Sequence, residues 1–170
     1  MANTYNLISS STLSSSAASV TFGSIPATYT DLVLRWSARS DGSGTLGFLI
    51  NNDSSAVYSR TRVYGTASAA GSSLGSNNTS WLTYTGATPS TYTTNSFSSG
   101  EFYISSYANS ANKVGSMFYA VENNSTVDWI IAADADLRSS TAAITEIKAQ
   151  ISSGNFVTGS SFYLYGIKNS

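Results

Sequence analysis

The chain contains no histidine and no cysteine, so any reaction it ran would have to be carried by carboxylates, lysines or hydroxyls. The tightest acid pair is Asp134-Ala135-Asp136. On a strand, residues two apart point to the same face, which would put both carboxylates side by side at the end of an apolar run. Such a pair could be half of a glycosidase acid/base system, with Glu101 as a further acid, or part of a calcium site. Acids at a strand end are more commonly a solvated turn. Asn51-Asn52-Asp53-Ser54 also offers side-chain oxygens, but one carboxylate gives little affinity for calcium and these are the residues a tight turn favours. With thiols and imidazoles gone, the common zinc and copper sites, histidine triads and cysteine nucleophiles drop out. The sequence therefore assigns no catalytic residue, no metal ligand and no cofactor-binding residue, and the chain reads as a binding or assembly protein, not an enzyme.

Four arginines supply the candidate contact surface. Arg35 and Arg39 follow each other on one alternating run, Arg60 and Arg62 on another, and both pairs fall on the side opposite the expected core. Neighbouring strands would merge them into a basic patch for an acidic partner or an adjacent subunit; a solvated sheet face accounts for the same pattern. The formal charge of -1 argues against nucleic acid, because phosphate neutralisation needs a clustered excess of Lys and Arg. Eleven tyrosines exceed the needs of a core, and Tyr103, Tyr119, Tyr163 and Tyr165 suit interfaces or a sugar platform. The Asn-x-Ser/Thr matches at Asn52, Asn77, Asn78, Asn123 and Asn124 are those expected by chance in a chain rich in Ser and Thr.

Strands must position these groups, since the dominant period is two. From Asp31 to Arg39, Leu32, Leu34, Trp36 and Ala38 alternate with Val33, Arg35, Ser37 and Arg39, which predicts a half-buried strand. Leu46, Phe48 and Ile50 repeat the pattern between two turns, and the two strands are expected to pair as neighbours. Arg60 to Tyr64 and Phe97 to Ile104 read as half-exposed strands. Lys113 to Glu122 and Val127 to Asp134 flank Asn123-Asn124-Ser125 and predict a hairpin. Ile147 to Ile151 and the apolar Phe162 to Ile167 close the series, the last expected near the centre of a sheet. Thr66 to Thr79 and Thr85 to Ser96 read as long loops. No segment sustains a 3.6-residue period.

These elements predict an all-β chain, a two-sheet antiparallel β-sandwich of jelly-roll-like form. Residues 1–19 read as an N-terminal arm or edge strand, and 20–170 as a single β-sandwich domain, a size that supports its own core without a disulfide or metal. Charged residues are only 10% of the chain against 41% hydrophobic, so the surface is rich in hydroxyls and amides. No run approaches the roughly 18 apolar residues of a membrane span, and the start carries no basic leader with an apolar stretch, so neither a membrane partner nor secretion is expected.

Three segments carry a family likeness: Phe22-Gly-Ser-Ile-Pro-Ala-Thr-Tyr-Thr-Asp-Leu-Val-Leu34, Ser59-Arg-Thr-Arg-Val-Tyr-Gly65 and Ser152-Ser-Gly-Asn-Phe-Val-Thr-Gly-Ser-Ser-Phe-Tyr-Leu-Tyr-Gly-Ile167. In this order they resemble a module of virion structural proteins of tailed bacteriophages, including those of cyanobacteria. The resemblance implies a jelly-roll-like domain on the virion, assembled in the host cytoplasm and commonly homotrimeric. It implies a capsid decoration, or cement, protein on the major capsid protein, or alternatively a tail or head fibre domain that binds a receptor carbohydrate. The absence of collagen-like repeats and coiled-coil heptads favours decoration over a fibre with a shaft. The family offers no catalytic motif to carry over.

Overall fold

The computed structural model describes residues 4–122 and 129–168. Among them there is no helix, and so none long and apolar enough to cross a membrane. The chain order is β1 (Tyr5–Thr12), β2 (Ser19–Phe22), β3 (Asp31–Ala38), β4 (Leu46–Ile50), β5 (Tyr58–Thr66), β6 (Ala70–Asn78), β7 (Trp81–Leu82), β8 (Ser98–Ser105), β9 (Lys113–Glu122), β10 (Trp129–Arg138), β11 (Ile147–Ile151) and β12 (Ser161–Ile167). They form two antiparallel sheets, ordered β1-β12-β3-β8-β9-β10-β5-β6 and β2-β11-β4-β7. This is the expected all-β sandwich.

The core is the layer between the sheets. Leu32, Leu34 and Trp36 of β3, Phe102 and Ile104 of β8, and Phe162 and Leu164 of β12 face Phe48 and Ile50 of β4 and Ile147 and Ala149 of β11, and all of them are buried. Aromatic rings join the layers. Phe48 lies 5.2 Å from Trp36 and 5.3 Å from Phe102, and Trp81 meets Phe102 edge-on at 5.1 Å, distances at which such pairs attract beyond their buried area.

Three expectations about the strands need correction. First, β3 and β4 do not pair; they lie in opposite sheets, because the Asp41–Gly44 segment carries the chain across the sandwich and lets both apolar rows face one core. Second, Thr66 to Thr79 is largely strand β6, paired with β5 from Tyr58↔Asn78 to Gly65↔Ala70. A sheet edge asks for backbone hydrogen bonds more than for side chains to bury, and glycines at the crowded positions suffice. A Cβ on Gly71 would lie 2.7 Å from the Tyr64 hydroxyl, and one on Gly75 3.1 Å from an Arg60 Nη. Third, β12 is not central but next to the edge, because β1 closes the sheet beyond it. Tyr5–Thr12, from the segment read as arm or edge strand, is thus an edge strand. The β9 and β10 ladders pair from Trp129↔Glu122 to Arg138↔Lys113; the Asn123-Asn124-Ser125 turn and the residues Val127 and Asp128 lie outside the described residues.

Candidate functional site

The four arginines do not form one patch. Arg35 alone points outward, donating from Nε to Glu101 Oε2 at 2.7 Å on the neighbouring β8. Its guanidinium also lies 5.7 Å and 6.0 Å from the Tyr5 and Tyr165 ring centroids, within cation–π range. Arg39 is buried, and its two terminal nitrogens donate to the carbonyls of Ser90, Tyr92, Thr93 and Ser96. It pins the long loop of residues 85–96 to the end of the sandwich.

Arg60 and Arg62 sit on the inner face of β5, the reverse of the sequence expectation. Arg60 is half-buried, whereas Arg62 is only 1% exposed and donates to Asp134 Oδ1 at 2.6 Å and Oδ2 at 2.5 Å, and to the Leu82 carbonyl at 2.6 Å. Register explains the inversion: Asp134 on β10 lies directly opposite Arg62, so two charges that water would otherwise hold compensate each other in bidentate geometry. Tyr84 and Tyr119 flank the guanidinium at 5.8 Å and 5.9 Å. A period-two pattern reveals which residues share a face but not which face is the inside.

The acid pair Asp134 and Asp136 does share a face, as expected, and that face is internal. Asp136 is 2% exposed, and neither of its oxygens has a hydrogen-bond partner among the described residues. Burial, and then the charge of Asp134, push its carboxyl up to about 8, against the pull of Arg62 and Arg60. It is no solvated turn. With guanidinium groups on both sides, a second cation would be repelled, and the pair does not fit a calcium site. Among the described residues no cluster of three or more acids could hold a metal ion. Asn51-Asn52 forms the tight turn expected of it, both residues having a φ of 53°, and Asp53 is engaged by Ser55 and Arg138. Of the singled-out tyrosines, Tyr119 is buried with its hydroxyl accepting from the Tyr84 N–H, and Tyr103 donates to Asp31 Oδ2 at 2.6 Å. Tyr163 is exposed and Tyr165 half-buried.

What the sequence reading missed is the outer face of the larger sheet. Because the Arg60, Arg62, Asp134 and Asp136 rows point inward, the alternate rows point to solvent. They consist of Val114, Ser116, Phe118 and Ala120 on β9, Ile131, Ala133, Ala135 and Leu137 on β10, Ser59, Thr61 and Val63 on β5, and Ala70, Ser72 and Leu74 on β6. None of these residues is charged. Phe118 is 57% exposed, Val63 59% and Leu74 81%, and Phe118, Ala133, Val63 and Ser72 stand in one cross-strand row. A signal was present in β9, which is apolar at both parities and so could not hide both faces in one core. No family model matches the chain, and no curated protein matches it significantly.

Proposed function

We propose that this chain is a non-catalytic virion structural protein, a decoration (cement) protein on the outside of a tailed-phage head that stabilises the shell by binding major capsid subunits as a homotrimer. One observation carries the reading: the charge-free apolar face of β9, β10, β5 and β6. Isolated soluble domains rarely leave such a face open, and it marks a protein contact. Four strands about 4.8 Å apart and about nine residues long present roughly 550 Å². That is below the roughly 800 Å² per partner of a stable stand-alone complex. A contact of this size is weak singly and effective when many copies act on one lattice, which is the situation of a decoration protein and the reason a capsid subunit is the occupant.

Two measurements test it. Copies per particle in purified virions should number in the hundreds; a handful, confined to the tail, discards decoration in favour of the fibre alternative. Phe118→Asp combined with Ile131→Asp should leave the melting temperature of the isolated protein within a few degrees of the parent and abolish its incorporation into particles. Unchanged incorporation of the folded variant would remove the face from the interface.

A further inference from the structure

Adjoining the docking face and sharing Phe118 and Ala120 with it, a shallow hollow of about 440 Å³ crosses β12, β3, β8 and β9 of the same sheet. Its wall is one cross-strand row: Tyr163 of β12, Arg35 of β3, Glu101 of β8 and Phe118 of β9. Its floor is the next row, the small residues Ser161, Ser37, Ser99 and Ala120. On each of the four strands a large outward side chain is followed two residues away by a small one, and because the strands align in register the step between the two rows makes the hollow.

We propose that this hollow binds a neutral saccharide. Three features select that class. Tyr163 and Phe118 are exposed aromatic rings at its two ends, and an aromatic ring stacks on the C–H face of a sugar while leaving the hydroxyls free. Between them the Arg35–Glu101 pair supplies donors and acceptors side by side with zero net charge, suited to hydroxyls that both give and accept. An anionic ligand would meet the Glu101 carboxylate and a cationic one the Arg35 guanidinium, so charge is selected against on both sides.

The pair is also held before any ligand arrives. Arg35 is fixed by Glu101 on one side and by the Tyr5 and Tyr165 rings on the other, so less side-chain freedom is lost on binding. The serines of the floor add hydroxyl partners, and the volume falls within the range of small-ligand sites. The assignment goes beyond the decoration reading and does not depend on it, since it is measured on the isolated protein.

The test is an amide-resolved NMR titration of the isolated full chain with maltose, cellobiose, lactose and chitobiose, each to about 50 mM, a range that registers millimolar affinity. At least one should give saturable shifts at Ser37, Ser99, Gly100 and Ser161. Tyr163→Ala and Glu101→Gln should each weaken that binding about tenfold or more, and because both side chains are exposed the fold should survive. Absence of saturable shifts with all four sugars overturns the proposal. So does binding that neither variant weakens, or tighter binding of a glucuronic-acid disaccharide than of its neutral counterpart.

Discussion

Among the side chains, the largest electrostatic commitment is the row in which Arg62 grips Asp134 while Asp136 lies buried beside it with no hydrogen-bond partner among the described residues. Removing Arg62 would leave Asp134 as an uncompensated buried charge, a loss of about 3–5 kcal/mol in comparable settings. Asp136 behaves differently, because its carboxyl is held up to about 8 by burial and by the neighbouring Asp134 charge. Between roughly pH 4 and pH 8 the folded chain therefore keeps a proton that the unfolded chain releases. The stability tied to this proton is complete below the unfolded value and disappears as pH rises through the folded one. Asp136→Asn removes the dependence, so the variant should melt close to the parent near pH 4 and increasingly above it toward pH 9. Thermal melts across that range measure the gap; a gap that stays constant with pH would mean Asp136 is already ionised in the fold.

At the level of elements, the sandwich depends on glycines that admit a neighbour's ring. Gly100 of β8 faces Trp36 of β3 in register, and a Cβ there would lie 2.0 Å from Trp36 Cζ2. The indole cannot swing away, because Trp36 is buried, packs at a tilt against Phe48 and donates from Nε1 to the Gly86 carbonyl at 2.7 Å. Gly86 itself has a φ of 61°, a left-handed conformation that glycine adopts without strain. The tryptophan thus ties the loop of residues 83–97 to the core. Gly100→Ala should cost about 1–3 kcal/mol through overpacking, read as a lower urea midpoint at unchanged slope together with altered tryptophan fluorescence. An unchanged midpoint would show that the ring has room to move.

For the molecule as a whole, the first strand pairs with the last, and β3 sits between β12 and β8, so most ladders join residues far apart in sequence. Loop-closure entropy must be met before these contacts form. Refolding should accordingly take milliseconds to seconds, far slower than a helical bundle of equal length, as stopped-flow fluorescence of the tryptophans would register. A microsecond phase accounting for the full amplitude would contradict the topology. The same topology sets two outer regions of the large sheet side by side, the uncharged apolar face on β9, β10, β5 and β6 and the hollow around Arg35 and Glu101, which share Phe118 and Ala120 of β9.

Alternation of apolar and polar residues was enough to identify most strands, the two-sheet class and the shared face of Asp134 and Asp136, because the pleat has a period of two whatever the rest of the chain does. The same alternation misread the inside of β5. Whether Arg62 or Val63 points inward depends on which residue stands opposite on β10, and only the pairing with Asp134 made the charged row the buried one. β6 was hidden for a related reason, since an edge strand with little to bury leaves no hydrophobic trace. The apolar outer face and the row of Tyr163, Arg35, Glu101 and Phe118 exist only through cross-strand register: residues 163, 35, 101 and 118 become neighbours when four strands align, and no local pattern encodes that alignment.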